Sequence, residues 1–224
     1  MRLIEDINQA NYIVIEVDAE FLSSASALYT HILRLHKNVS LVCTSKEINK
    51  NLSFLPWFEK IRTKASASAD LKIVLNMKSV QLFNLFKEHN IKPNQKMATA
   101  LYAGLLQETD GFRNSNVNGS VFAISKELLE YGAEYKICTD FILKFTSLSL
   151  LRLKAILLNN MELVNNASVA YMSINENELK ASASKIEDCY SILYEAFNLP
   201  YVKEVYLIKS DENKKILKTI KKGL

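Results

Sequence analysis

The pattern of apolar positions along roughly the first 90 residues alternates between two kinds of segment. Three short runs rich in β-branched and apolar residues, 12–17, 39–43 and 71–76, are typical of buried parallel strands. Apolar residues at three- and four-residue spacing predict helices over about 21–37, 53–62 and 78–89. Strands that alternate with helices predict a parallel sheet, with binding groups at the carboxyl ends of its strands.

The apolar pattern becomes wholly helical from about residue 96 and predicts helices over 96–108, 117–131, 134–145 and 147–164. The last of these is apolar on nearly every side, so we expect it to be buried or packed against a partner. Farther on, 166–173 predicts a strand, 184–197 a helix, and 202–209 with 214–220 a β-hairpin. We therefore expect an α/β domain over 1–146, a linker helix over 147–164 and a small α+β domain over 165–224.

Composition narrows the class of protein further. Only 5 Gly and 3 Pro in 224 residues favour long helices and exclude both the Walker loop and the Gly-x-Gly-x-x-Gly turn. The 3 cysteines, Cys43, Cys138 and Cys189, are far apart and form no Cys-x-x-Cys pair, which favours a reducing compartment. The first residues do not resemble a signal peptide, and 141–164 is too charged for a membrane span. We expect a cytoplasmic protein.

Three segments carry a resemblance to a known family. The run VDAEFLSSASALY occupies 17–29, ATALYAGLLQETDGFR occupies 98–113, and 128–153 begins with a Leu-Leu-x-x-Gly-Ala pattern. These segments resemble the motifs of the DHH phosphoesterase family, in particular its oligoribonuclease (nanoRNase) branch. Residues 166–224 are similar to the start of the smaller domain that follows in this family. The resemblance implies a shortened DHH-like parallel sheet with helices, a long linker helix and a truncated α+β domain.

The resemblance also implies where a metal centre would have been. Family members bind two divalent cations, usually manganese, through imidazoles and carboxylates. In this sequence Asp18 matches the leading aspartate of the first motif, Glu20 and Glu108 stand where aspartates are expected, and Asn76 replaces another metal aspartate. The Asp-His-His and Gly-Gly-His motifs are absent. We expect no cofactor, and a sheet of about three parallel strands with 71–76 at its edge.

Two other groups of residues are candidates for function. His31 and His36 lie five apart on the first long helix, the wrong interval for a metal pair, and both are expected at the surface. Residues 200–224 hold seven lysines against three acids, which equals the net charge of the whole chain, +4. Five of these lysines, Lys214, Lys215, Lys218, Lys221 and Lys222, are candidate phosphate contacts.

Three functional hypotheses follow. The first is a catalytically inactive homologue that binds protein as a scaffold, as a homodimer or within a larger complex. The second is a residual phosphodiesterase in which Asp18, Glu20 and Glu108 hold manganese and cleave short oligonucleotides or dinucleotides. The third is weak nucleic-acid binding through the lysines near the C-terminus.

Overall fold

A computed structural model describes residues 3–64, 68–115, 117–212 and 214–223 of the chain. The chain divides into two compact units, Met1–Phe145 and Thr146–Leu224. Each has a sheet and a hydrophobic core of its own.

The sheet of the first unit is parallel throughout. Its strands are β1 (Tyr12–Val17), β2 (Asn38–Cys43), β3 (Ile61–Arg62) and β4 (Leu71–Leu75), in the order β3-β2-β1-β4. The three strands expected from the sequence are therefore confirmed, and β4 lies at an edge as expected. The two-residue β3 is an addition, because a strand this short leaves no pattern to recognise.

Helices pack against this sheet on the side of Ile13 and Ile15. The described helices of the unit are α1 (Leu3–Gln9), α2 (Leu22–Arg34), α3 (Ser79–Glu88), α4 (Gln95–Glu108), α5 (Gly119–Glu130) and α6 (Tyr135–Thr139), the last continuing as a π-helix over Asp140–Lys144. Asn94 begins α4, since its side chain accepts a hydrogen bond from Met97 N at 3.0 Å. All residues of α4 from Met97 to Leu106 are buried, so this helix forms the centre of the core.

One helix expected in the first unit is absent from the described structure. Residues 53–62 contain no α-helix; they follow a 3₁₀ turn at Lys50–Leu52, form another at Phe58–Lys60 and end in β3. Pro56 lacks the amide hydrogen that a helix interior needs, and Trp57 takes a left-handed conformation with φ 65°. The apolar spacing around Trp57 comes from side chains of irregular backbone that pack against the core.

The second unit is a mixed α+β structure, as expected. It contains α7 (Leu148–Asn159), β5 (Met161–Val164), β6 (Val169–Ile174), α8 (Glu176–Ser182), α9 (Cys189–Ile192), β7 (Glu204–Lys209) and β8 (Lys215–Lys221). The strand order is β5-β6-β7-β8, with β6 and β7 parallel and the two outer pairs antiparallel. The hairpin expected near the C-terminus is thus confirmed as β7 and β8.

Two helix predictions in this unit were too long. The helix expected over 147–164 ends at Asn159, and Met161–Val164 instead form the strand β5, paired with β6 through a turn of three residues with positive φ. The helix expected over 184–197 consists of α9 between 3₁₀ segments at Ile186–Asp188 and Leu193–Asn198. Apolar runs of this kind fit a strand or a helix equally well until a hydrogen-bonding partner is known.

The helix α7 buries one face and exposes the other. Leu153 and Leu157 are fully buried in the core of the second unit, whereas Leu148 and Leu151 are 61% and 55% exposed. The sequence of α7 is apolar on nearly every side, but the second unit buries only one face of the helix.

None of the helices in the described ranges is long and apolar enough to cross a membrane.

Candidate functional site

Two of the four expected metal-site residues lie around one cavity of the first unit. Glu20 and Glu108 line one cavity of about 270 Å³, together with Phe21, Lys78 and Gln107. The described residues that line it do not include Asp18 or Asn76. The structure thus brings two of the four expected metal-site positions into one cavity.

Asp18 directly follows β1 and is held by the segment that follows β2. Its Oδ1 accepts hydrogen bonds from Thr44 Oγ1 at 2.8 Å and from Ser45 Oγ at 3.1 Å. Ser45 Oγ in turn accepts a hydrogen bond from Ala19 N at 2.9 Å. The Asp18 carboxylate therefore joins the ends of two neighbouring strands.

Glu108, the last residue of α4, caps a different helix. Its Oε1 accepts a hydrogen bond from Ser79 N, the first amide of α3, and the Val80 amide also donates to this carboxylate. Carboxylates stabilise a helix N-terminus because the first amides have no partner within the helix and carry partial positive charge. Burial raises the pKa of the Glu108 carboxyl, and the hydrogen bonds from Ser79 and Val80 oppose that rise.

Small hydroxyl groups fill the space between α2, α3 and α4. Ser24 Oγ lies 3.0 Å from Ser79 Oγ, and Ser23 Oγ donates to Gln107 Oε1 at 2.8 Å. Gly104 makes this contact between helices possible, since a Cβ there would lie 1.8 Å from Ser79 Oγ. Sequence reasoning missed Ser79 and Gln107, because only the packing of α3 against α4 brings them to the site.

The donor set does not fit a two-metal centre. Asp18 Oδ1 already accepts two hydroxyl hydrogens, Glu108 accepts two amide hydrogens, and Asn76 is exposed and neutral. A divalent cation that activates water needs several anionic or imidazole ligands converging on one point. Across the described ranges, no three His, Cys, Asp or Glu side chains are arranged to hold a metal ion.

The five candidate lysines near the C-terminus do not form one patch. Lys218 pairs in register with the buried Leu207, and Lys221 with Glu204 on the opposite face of the sheet, so lysines lie on both sides of β8. Four of the five contact groups of their own unit: Lys221 with Glu204 at 2.8 Å, Lys215 with Glu212 at 3.5 Å, Lys222 Nζ with Phe197 O at 3.2 Å, and Lys218 Nζ with the Tyr190 ring centroid at 5.5 Å.

The cysteines do not form a reactive group. All three are free thiols and buried. Burial raises the pKa of Cys138 to about 12 and that of Cys189 to about 11, so both thiols stay protonated at neutral pH and lack the thiolate that a nucleophile requires.

Comparison with solved structures defines the fold. The chain is similar to an exopolyphosphatase-related protein from Bacteroides fragilis, with a TM-score of 0.74 and 16% identity over 96% of this chain and 80% of that one. It also matches a putative family II inorganic pyrophosphatase from Methanococcus jannaschii, with 14% identity over 88% of this chain and 83% of that one, but the TM-score of 0.35 is too low to support a shared fold. No protein-family model and no curated protein matches the sequence.

The expected α/β class is therefore confirmed, and the chain shares the fold of the exopolyphosphatase-related protein. The resemblance to the DHH phosphoesterases, and within them to the oligoribonuclease branch, stays a prediction.

Proposed function

We propose that the chain is a non-catalytic homologue of the DHH-type phosphoesterases and that it acts by binding another protein chain. One observation carries the proposal: the Glu108 carboxylate serves as the cap of α3. A metal ligand must direct lone pairs at the cation, whereas the Oε1 atom of this carboxylate directs them at the backbone amide of Ser79.

Asp18 supports the same conclusion. Its contacts with Thr44 and Ser45 give it a structural task, the joining of two strand ends. In a two-metal hydrolase the corresponding carboxylate would face the cations and the phosphate between them.

A hydrolysis assay tests the proposal. The purified full chain is incubated with manganese and either a short RNA or a linear dinucleotide, and products are separated by chromatography. We expect no turnover above a blank without protein, and the same result for Asp18→Ala. Asp6→Ala, which removes an exposed carboxylate from α1, is the matched control. Manganese-dependent cleavage that Asp18→Ala abolishes and Asp6→Ala retains would overturn the proposal.

The second candidate is a residual metal-dependent phosphodiesterase. The observation that favours it is the cavity of about 270 Å³ in which Glu20 and Glu108 face the same space beside Lys78. Two carboxylates and one ammonium group could orient a single cation and a phosphate. The assay above decides between the two candidates.

Weak nucleic-acid binding ranks third. Lys214 is the exposed lysine of the five that supports it best, while the others contact groups of their own unit. Such binding would come from phosphate attraction alone, so its affinity should fall steeply as salt is raised. Fluorescence anisotropy of a labelled short RNA across a salt series measures this directly.

The partner and the place of action are part of the proposal. We infer a protein partner, either a second copy or another chain. The apolar side chains of Leu148, Leu151 and Val74 are 55–67% exposed, and exposed apolar surface is typical of protein–protein contacts. We place the protein in the cytoplasm, a proposal that the three free thiols support. Affinity purification from the native cell with mass spectrometry identifies the partner.

A further inference from the structure

The sheet of the second unit has one covered and one open face. Along β6, Ala170, Met172 and Ile174 are buried in the core beneath the helices, while the alternate residues Val169 and Tyr171 point to the other side and are half-buried. The same alternation continues in β7, where Val205 and Leu207 are buried and Tyr206 is not. We call the side that carries Tyr171 and Tyr206 the open face.

The centre of the open face is a fixed aromatic pair. The rings of Tyr171 and Tyr206 are stacked, with centroids 5.1 Å apart and an interplanar angle of 27°. Tyr206 Oη donates to Glu204 Oε2 at 2.7 Å, and Glu204 forms an ion pair with Lys221 at 2.8 Å. Aromatic side chains held in place lose little conformational entropy on binding, which suits them to an interface.

A cavity of about 390 Å³ lies on the same face. Its lining is mainly apolar, with one acidic and one basic side chain: Glu162, Val164, Tyr171, Ile208, Lys214 and Ile216. Val164 and Ile216 are 37% and 53% exposed. The face thus offers an apolar recess that an incoming side chain can fill.

Charge is distributed unequally across this face. On its β5 side it carries Glu162, and on the side of β8 and its preceding turn it carries Lys214 and Lys221. Over the ranges that the structure describes, the side chains of Glu162 and Lys214 have no ion-pair or hydrogen-bonding partner. Such a surface is complementary to a second copy of itself rotated by 180°. The acidic side of each copy then lies against the basic side of the other, with the apolar groups between them.

We propose that the open face binds the open face of a second copy of this chain. A two-fold axis parallel to the strands would place β5 of one copy over β8 of the other, and β6 over β7. Such an isologous contact repeats each interaction twice, so each Glu162 approaches the basic side of the partner subunit. The stacked tyrosines and the aliphatic residues around the cavity would form the centre, as in other sheet-on-sheet packings at roughly 10 Å.

The size of the face sets the expected strength of this dimer. Four strands about 4.8 Å apart and roughly six residues long cover on the order of 400 Å² in projection. This is about half of the ~800 Å² that each partner buries in a standard stable interface. We therefore expect a reversible dimer with a dissociation constant in the micromolar range.

Nucleic acid fits this face less well than a second copy. Two carboxylates, Glu162 and Glu204, balance two ammonium groups, Lys214 and Lys221. A phosphate backbone requires a surplus of positive charge, which this face lacks.

Charge reversal tests the dimer in the full-length chain. Sedimentation equilibrium is measured for the wild type, for Glu162→Lys and for Lys214→Glu, with Glu187→Lys and Lys180→Glu as controls that change charge equally at exposed positions away from this face. We expect each single reversal on the open face to raise the dissociation constant about tenfold, and the controls to leave it unchanged. An equimolar mixture of the two reversed variants should regain the wild-type affinity as a heterodimer, because each contact then joins opposite charges.

Two results would overturn the inference: a wild-type chain that remains monomeric at hundreds of micromolar, or a dimer that responds equally to the reversals and the controls. The inference rests on the proposed function only in taking the chain as a protein-binding module. The hydrolysis assay uses a different readout, so failure of the dimer and failure of the non-catalytic assignment are distinguishable.

Discussion

The two sheets of this chain expose their polar groups in different places. At the centre of the first sheet both faces are buried: Ile13 and Ile15 contact the helical core, and Val14 and Val42 on the other side are 1% and 3% exposed. The polar groups of its candidate site lie at the strand ends, where Asp18 accepts hydrogen bonds from Thr44 and Ser45. Where both faces of a parallel sheet are buried, as at this centre, the strand ends are left for binding.

The second sheet buries one face and leaves the other half-exposed. Charged and aromatic side chains lie on that open face, including Tyr171, Tyr206 and Lys214. The two sheets therefore differ in which part of their surface is left for another molecule. The strand ends of the first sheet are occupied by internal hydrogen bonds, whereas the second sheet keeps a surface that another molecule can cover.

The one-sided burial of α7 in the second unit gives the largest expected effect on stability. Leu157→Ala removes a fully buried side chain of α7 and should lower the free energy of unfolding by about 3 to 4 kcal/mol. Leu151→Ala, on the exposed side of the same helix, should change it by less than about 0.5 kcal/mol. Urea denaturation of both variants measures the contrast. Equal losses would mean that α7 is buried on both sides.

The dense packing of the first unit predicts a dependence on pH. Burial of His31, with a smaller contribution from the nearby Arg34, lowers the pKa of its imidazole from 6.5 to about 4. The unfolded chain therefore binds the proton more readily than the folded one. The stability that depends on an uncharged His31 is fully present above pH 6.5. It is lost as the pH falls from 6.5 through about 4, which lowers the free energy of unfolding by about 3 kcal/mol.

Denaturation at pH 7 and pH 4 measures this loss. His31→Gln should reduce it, while His36→Gln, which changes an exposed imidazole on the same segment, should not. A wild-type loss that both variants share would place the titrating group elsewhere.

The close contact between α4 and Ser79 predicts a smaller effect on stability. Gly104→Ala forces α4 away from Ser79, since the added carbon would lie 1.8 Å from Ser79 Oγ, and should destabilise the chain by about 2 kcal/mol. Gly119→Ala is the control, because its Cβ would meet open space at the start of α5. Thermal unfolding of the two variants should differ by several degrees. Similar melting temperatures would show that the two helices can separate without cost.

Much of the fold could be predicted because its strands are local patterns. The runs at 12–17 and 71–76 are short, β-branched and followed by helical spacing, so both their type and their parallel arrangement could be inferred. The errors fall where a local pattern has two solutions. Residues 161–164 continue an apolar helix in sequence, yet they form β5 because β6 supplies a hydrogen-bonding partner.

The candidate site was less predictable, because its contacts are tertiary. The strand pattern placed Asp18 at the end of β1, and the family resemblance placed Glu108 among the metal-site positions. Nothing in the sequence shows that Glu108 would cap α3, a contact 29 residues away. His31 was expected at the surface and is instead 6% exposed, since its ring packs against Phe86 with centroids 5.4 Å apart. A polar residue at a buried helix position gives no local signal of its burial.

The most direct test of the account is a manganese titration of the full chain, followed by isothermal calorimetry at neutral pH. If Asp18 and Glu108 serve as strand bridge and helix cap, the wild type and Asp18→Ala should give the same heats, with no saturable binding in the micromolar range. Saturable binding of two manganese ions per chain, lost in Asp18→Ala, would contradict the account and restore the two-metal hydrolase.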